Sequence, residues 1–285
     1  MKVKKLKLNS GDFPEVMTNI PSRPENLFIM SQNMDEILSR PAIAVVGSRR
    51  ITTYGKVTTI QLVTELARAG VAIVSGLALG VDAVAHRAAL DAGGITIAVL
   101  PCGLDTIYPA SHRGLARQIL EQGGALLTEY PEGNRIYPSN FIARNRIVSG
   151  ISRAVLITEA AEKSGTLHTA RFALEQGKDV LAVPGNITSS TSTGTNNLIK
   201  TGATPVTNAA DIFHTLGIKP PSDKPKLRGS TPQEQAILDL IYQGTASGED
   251  LLQQSGMDIT TFNQSLTMLE ITGKIRSLGA NHWTT

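Results

Sequence analysis

Cysteine is almost absent from this chain, which has a single one, Cys102, among 285 residues. One cysteine cannot form an internal disulfide and is typical of a reducing compartment, so we expect a cytoplasmic protein. The five histidines and the cysteine show no spacing typical of a zinc site. A Walker A loop and a Gly-x-Ser-x-Gly elbow are also missing. We therefore expect no metal, no cofactor and no catalytic residues.

Long apolar runs are missing too, and none approaches the roughly 18 residues that a membrane-spanning helix needs. The four lysines within residues 1–9 are not followed by the apolar stretch of a secretory signal. Residues 10–217 hold 17 basic and 17 acidic side chains, whereas residues 228–285 hold three basic and six acidic ones. Because charge is balanced over most of the chain, a nucleic-acid site would have to be a local basic cluster.

Short apolar runs alternate with helical patterns from residue 42 onward. The runs cover residues 42–48, 71–76, 95–100, 125–130, 153–160 and 179–185. Buried strands that alternate with helices indicate an α/β fold, an extended Rossmann-like parallel sheet with helices on both faces. In the first helix we expect the core face to carry Val57, Ile60, Val63, Leu66 and Ala67. Ligands of such sheets bind at the carboxyl ends of the strands.

Four parts of the chain are predicted. They are a lead-in segment over 1–40, the Rossmann-like domain over 41–217, a Pro- and Lys-rich linker over 218–229 and a small domain over 230–285. The small domain shows three helical patterns, the third with Phe262, Leu266 and Leu269 on one face, and then a hairpin pattern typical of a winged helix. Because that third helix has no basic residue before Lys274, we prefer protein contact to DNA binding there.

Two glycine-containing motifs stand where strands give way to helices. The first is Gly47, Ser48, Arg49 and Arg50, and the second is Lys163, Ser164, Gly165 and Thr166. Glycine lets the backbone approach a ligand, and the following helix offers N–H groups to an anion. Arg49 adds a guanidinium suited to phosphate. An ordinary turn with surface arginines, or a plain helix cap, would explain the same residues without a ligand.

A third motif combines an aromatic residue with two arginines, in Phe141, Arg144, Asn145 and Arg146. Aromatic rings stack on unpaired bases and arginines hold the backbone, in a chain of which only 4% is aromatic. The alternative is a core phenylalanine with arginines in ion pairs. Asp82 and His86 share a helix face, and such a pair is more often a structural hydrogen bond than a catalytic dyad.

These motifs together resemble the DNA processing protein A (DprA, or Smf) family, in order and spacing, over residues 13–215. The matching segments include AVVGSRR, SGLALGVDAVAHRAAL, FIARNRIVSGIS, AVLITEAAEKSGTLHTARFALEQG and GTNNLIKTGA. The resemblance implies a non-catalytic dimer that binds and protects incoming single-stranded DNA and loads the RecA recombinase in natural transformation.

The resemblance also assigns roles to residues of this chain. Arg49 becomes a phosphate contact and Phe141 a base-stacking residue, while Arg144 and Arg146 line up the strand or bind phosphate. The dimer contact falls on Asn197, Leu198 and Ile199.

This chain departs from the family pattern at several positions. The family usually has Arg at Leu79, Pro at Ile142, and often Lys near residues 108–113, where only His112 and Arg113 could substitute. These departures predict weaker DNA binding. Since about 40 residues precede the first strand, we expect the N-terminal helical domain of many members to be absent.

Two other classes of function share features of this sequence. LOG-type phosphoribohydrolases share a similar fold, but their glycine loop is followed by Glu, whereas Thr166 here precedes Leu167, His168 and Thr169. That difference argues against N-glycosidic hydrolysis. A domain that senses a small nucleotide remains open.

Overall fold

The computed structural model describes residues 3–8, 17, 20–32, 34–219, 227–279 and 281–284. The chain divides into two compact units, residues 1–220 and residues 221–285. Of the linker predicted over 218–229, residues 220–226 lie outside the described residues, as does part of the predicted lead-in. In the described part of the chain, no helix combines the length and the apolar character needed to cross a bilayer.

The larger unit is built on one sheet, in which the described residues form nine strands. The strands are β1 (Val3–Lys7), β2 (Asn26–Ser31), β3 (Ala42–Val46), β4 (Ala72–Ser75), β5 (Thr96–Val99), β6 (Ala125–Thr128), β7 (Ala154–Ile157), β8 (Asp179–Ala182) and β9 (Thr204–Pro205). Their order is β1-β2-β6-β5-β4-β3-β7-β8-β9. Neighbours from β6 to β9 run parallel, which confirms the predicted Rossmann-like sheet.

Helices cover both faces of this sheet. They are α1 (Met34–Ser39), α2 (Thr53–Arg68), α3 (Val81–Asp91), α4 (Arg113–Glu121), α5 (Pro138–Gly150), α6 (Thr166–Glu175), α7 (Thr193–Lys200) and α8 (Ala209–Leu216). Two separate apolar clusters include opposite faces of β3: Ala44 and Val46 belong to one, and Ile43 and Val45 to the other. Burial on both sides explains why β3 is apolar throughout.

Two segments of the predicted lead-in, β1 and β2, belong to the sheet, which the sequence pattern did not predict. Strand β2 pairs antiparallel with β6, and β1 pairs antiparallel with β2. Leu27 and Ile29 of β2 are buried between half-buried neighbours, the period-2 pattern of a strand. Lys4, Lys5 and Lys7 lie on β1, and the Lys5 ammonium lies 5.4 Å from the Phe28 ring centroid.

Helix α2 presents a different face to the core than predicted. Val57 and Ile60 are 49% and 40% exposed, so placing them in the core was wrong. Thr59 is fully buried instead, and its hydroxyl donates a hydrogen bond of 2.8 Å to the Thr158 hydroxyl. A polar residue can occupy the inward face because this hydrogen bond satisfies it, which apolar periodicity does not detect.

The smaller unit consists of α9 (Pro232–Tyr242), α10 (Gly248–Ser255), α11 (Ile259–Ile271) and a hairpin of β10 (Arg276–Gly279) and β11 (His282–Thr284). Phe262, Leu266 and Leu269 of α11 are buried in its core, as predicted. Three helices followed by a hairpin confirm the winged helix.

Candidate nucleic-acid interface

A cleft of about 510 Å³ opens where the strand order reverses. Strands β4, β5 and β6 follow β3 in one direction, whereas β7, β8 and β9 extend the sheet in the other. Such a reversal leaves a crevice at the carboxyl ends of the strands. The cleft is lined by residues 46–50 after β3, Ala78 and Asp82 after β4, residues of the 161–169 segment after β7, residues of α5, and Thr191.

Backbone hydrogen bonds tie the loops of the cleft together. The Ser48 N–H donates to the Glu159 carbonyl at 2.8 Å, and the Thr166 hydroxyl donates to the Gly47 carbonyl at 2.9 Å. A Cβ at Gly47 would lie 2.5 Å from Val81 Cγ2 and 2.8 Å from the Glu159 carbonyl oxygen. Glycine is therefore required where the loop after β3 approaches α3 and the segment after β7.

Buried carboxylates lie at the start of two helices near the cleft, α2 and α3. At α2, Glu159 accepts hydrogen bonds from the Thr52 hydroxyl at 2.6 Å and from its N–H at 3.1 Å. At α3, Asp82 accepts from the N–H groups of Gly76 at 3.0 Å and Ala78 at 3.3 Å. Negative charge at these two helix starts opposes the approach of a phosphate.

Helix α6 differs from the other two. Its N-cap residue, Gly165, makes no side-chain cap, and the first turn has no acid. Ser164 still acts locally, since its hydroxyl accepts a hydrogen bond of 3.3 Å from the Thr166 N–H. Among the described residues, no carboxylate accepts a hydrogen bond from the first turn of α6, so the start of α6 is the most favourable of the three for an anion.

Arg49 and Phe141 face each other across the rim of the cleft. The Arg49 guanidinium carbon lies 5.5 Å from the centroid of the half-buried Phe141 ring. On another side, the Tyr108 ring meets Phe141 edge to face, with centroids 5.1 Å apart. Arg49 itself is exposed. A positive group therefore lies over a partly open ring, which brings a contact for a phosphate close to a surface for its base.

Arg144 lines the same cleft, but its side chain is buried and hydrogen-bonded to the backbone of the sheet. Only 3% of it is exposed, and Nη1 donates to the carbonyls of Gly76, at 2.5 Å, and of Val99. Burial lowers the pKa of Arg144 to about 10, which leaves it charged at neutral pH. Burial raises the pKa of Asp82, against the opposing charge of Arg144. The Gly76 peptide joins the two groups, because Asp82 accepts from its N–H.

Arg146 is not brought to the cleft. It makes a two-pronged ion pair with Glu129, with distances of 2.8 Å and 2.6 Å, and its Nε donates to the Ser22 carbonyl at 2.7 Å. It lines a separate depression with Phe172 and Gln176. The predicted phosphate contact by Arg146 therefore does not fit its geometry, since Glu129 already neutralises the guanidinium.

The remaining predicted residues divide between the cleft and its surroundings. Arg50 is exposed on the cleft wall, and Asn145 lines the cleft while accepting a hydrogen bond of 3.2 Å from Arg144 Nε. Ser164, Gly165 and Thr166 also line the cleft, as do Gly47 and Ser48. Lys163 is exposed but is not part of the lining.

The histidines near the cleft have structural partners. His86 Nδ1 lies 2.6 Å from the Thr96 hydroxyl, so it does not form the pair with Asp82 that the spacing indicated. His112 is buried, with Nδ1 2.8 Å from the Leu77 carbonyl oxygen, and it cannot replace a missing surface lysine. Arg113 is exposed.

Motif analysis did not single out Tyr108, which lies beside the Phe141 ring, or Thr191, which lines the cleft. Both reach the site only through folding, because Tyr108 is 33 residues before Phe141 and Thr191 is 25 residues after Thr166 in the sequence. Aromatic residues are scarce in this chain, and Tyr108 is 45% exposed. Its scarcity as a residue type is the one sequence feature that could have indicated a role for Tyr108.

Comparison with known proteins gives a consistent result. The family model described as DNA recombination-mediator protein A matches residues 4–217, and the model described as DprA winged helix domain matches residues 220–281. Protein Smf of Escherichia coli strain K12 is 47% identical over 197 residues, which are 68% of this chain and 53% of that protein. A DprA relative from Mycobacterium tuberculosis is 40% identical over 252 residues, 84% of this chain and 63% of the relative. The chain thus spans between half and two thirds of the length of these relatives.

Solved structures of relatives share the fold of this chain. DNA processing protein A from Streptococcus pneumoniae superposes with a TM-score of 0.70 at 38% identity, covering 75% of this chain and 74% of that one. DNA processing protein A from Helicobacter pylori, whose structure was solved to study its single-stranded DNA binding mode, gives a TM-score of 0.67 at 34% identity, covering 75% and 95%. From its fold, its cleft and these matches, the chain belongs to the DNA recombination-mediator protein A (DprA/Smf) family.

Proposed function

We propose that this protein binds single-stranded DNA in the cleft at the carboxyl ends of β3 and β7. The observation that carries the proposal is the Arg49 guanidinium 5.5 Å from the Phe141 ring, beside the start of α6, whose first turn has no acidic residue. Phosphate attracted to Arg49 and α6 would leave its base free to stack on Phe141. The Helicobacter pylori relative, which was studied for single-stranded DNA binding, supports the same ligand.

We further propose that the protein acts as a mediator, without catalysing a reaction. The two buried carboxylates nearest the ligand space, Asp82 and Glu159, are held by backbone N–H groups and a hydroxyl. A carboxylate engaged in this way is poorly placed to act as a general acid or a nucleophile. Family membership points to protection of incoming DNA and loading of a RecA recombinase during natural transformation.

A dimer and a protein-binding winged helix complete the proposal. On α7, Asn197 is exposed and Leu198 and Ile199 are half-buried, so this helix retains apolar surface for a second copy. The winged helix has an acidic excess and presents Ile259 and Ile271 at 63% and 73% exposure. Acidic charge disfavours DNA, whereas exposed apolar side chains favour protein contact.

Fluorescence anisotropy with a labelled dT oligonucleotide tests the binding proposal. We expect Phe141→Ala to weaken binding roughly 5- to 150-fold, the range for one lost base stack. Arg49→Ala should also weaken binding, and should reduce the slope of log K against log salt by about 0.7. A chain without residues 221–285 should bind as the full chain does.

Three outcomes would contradict the proposal. They are no binding by the wild type, a salt-independent affinity, or unchanged binding by both cleft variants. If free dTMP displaced the labelled oligonucleotide as well as an equal nucleotide concentration of unlabelled oligo-dT, the result would support a sensor of small nucleotides. A cleft of about 510 Å³ could also hold such a ligand.

A further inference from the structure

A second depression, of about 470 Å³, adjoins the cleft. It lies between the start of α2 and the loop that follows β8, and its lining includes Tyr54, Pro184, Asn186 and Thr191. Thr191 lines both spaces. A strand held in the cleft could therefore continue past Thr191 without leaving the carboxyl edge of the sheet.

The chemistry of this depression differs from that of the cleft. Its lining, taken over the described residues, carries hydroxyl groups, an amide and an aromatic ring, but no charged side chain. The start of α2 is nearby, but there Glu159 already accepts hydrogen bonds from Thr52. A phosphate would meet this carboxylate, whereas a neutral, flat group with hydrogen-bonding edges would not be repelled.

Tyr54 supplies a fixed platform for such a group. Its hydroxyl donates a hydrogen bond of 2.8 Å to the Pro184 carbonyl, yet the residue remains 52% exposed. The next residue, Gly185, is held in turn by the Asn196 amide, through hydrogen bonds of 3.1 Å and 3.0 Å. A ring that is immobilised before binding loses little conformational entropy when a base stacks on it.

We propose that this depression is a second base-binding site, in which an unpaired base stacks on Tyr54 while a base further along the same strand occupies the cleft at Phe141. The proposal rests on the proposed function, since the cleft must first hold the strand. It assigns Tyr54 a direct contact with DNA, and it assigns the hydroxyl groups around Thr191 to the edge of the base.

Binding to oligonucleotides of two lengths tests this site. We expect Tyr54→Ala to weaken binding of dT12 roughly 5- to 150-fold. The same variant should bind dT2, which fills only the cleft, as the wild type does, and should retain the wild-type salt slope for dT12. Tyr137→Ala is the matched control, because Tyr137 is equally exposed, at 52%, but lines neither space.

A tryptophan reporter detects the stacked base directly. In a Trp283→Phe background, which removes the one native tryptophan, Tyr54→Trp places the sole indole at the second site. We expect dT12 to quench its fluorescence and an oligonucleotide with abasic sites to leave it bright.

The outcomes separate this inference from the proposed function. Unchanged dT12 affinity for Tyr54→Ala, or an unquenched indole at saturating dT12, would overturn the second site while Arg49→Ala still reported on the cleft. Failure of the wild type to bind dT12 would overturn both.

Discussion

At the scale of single residues, Arg49 and Arg144 are two arginines of one cleft with opposite surroundings. Arg49 is exposed, whereas Arg144 donates hydrogen bonds to the carbonyls at the ends of β4 and β5. We therefore expect Arg144→Gln to lower the melting temperature, by loss of charged hydrogen bonds that are each worth about 1.5–3 kcal/mol. Its DNA affinity should fall without a change in salt slope, because no phosphate contact is lost.

Calorimetry and salt titration would distinguish the two arginines. Arg49→Ala should show the opposite pattern. We expect it to keep the wild-type melting temperature, and its slope of log K against log salt should be smaller by about 0.7. A native melting temperature together with a reduced slope for Arg144→Gln would show that Arg144 binds phosphate directly.

His86 makes stability depend on pH. The Thr96 hydroxyl donates to the Ile73 carbonyl, so it accepts from His86 Nδ1, and among the described groups the buried Nε2 has no partner. Burial lowers the pKa of His86 from 6.5 to about 3. Between these values the unfolded chain binds a proton that the folded chain does not, so stability falls as pH falls.

We expect His86→Leu to remove this dependence. Relative to the variant, the wild type should lose about 1.4 kcal/mol of unfolding free energy per pH unit below about 6.5. Urea unfolding of the larger unit at pH 7, 6 and 5 measures the difference, with exposed His168→Leu as the control. Parallel curves for the wild type and His86→Leu would rule out a neutral buried imidazole as the cause.

At the scale of elements, the proposed phosphate site depends on the start of α6, whose first turn has no acidic residue. Gly165 has helical dihedral angles, φ −59° and ψ −18°, and a Cβ there would meet open space. Gly165→Asp and Gly165→Asn should therefore both fold. We expect Asp to weaken DNA binding about tenfold, the equivalent of about 1.4 kcal/mol of repulsion, because it repeats the arrangement found at α2 and α3.

Asparagine has the same shape as aspartate but no charge, so Gly165→Asn is the matched control. Anisotropy should show that this variant binds DNA almost as well as the wild type. Equal losses for both variants would point to crowding of the cleft rather than to charge.

At the scale of the whole molecule, the proposed dimer depends on α7. Leu198 already packs partly against the core of its own chain, so its replacement would mix folding with assembly. We expect Ile199→Glu to convert a dimer to a monomer, since an isologous contact places the new charge on both sides. Sedimentation velocity measures this, and Ile187→Glu, at a side chain that is 92% exposed, is the control. An unchanged dimer would place the interface elsewhere.

The sequence by itself determined the layered α/β unit, the winged helix and the loops that carry Gly47–Arg50 and Ser164–Thr166. Apolar strands and glycine turns are local patterns, so they can be recognised before folding. Tertiary structure alone decided that β1 and β2 join the sheet, which face of α2 points inward, and whether Arg144 and Arg146 are available to a ligand. Arg144 is buried and Arg146 is paired with Glu129 because distant segments supply their partners, at Gly76, Val99 and Glu129. Charge and burial at a site depend on neighbours that only the folded chain brings together, and no local pattern records them.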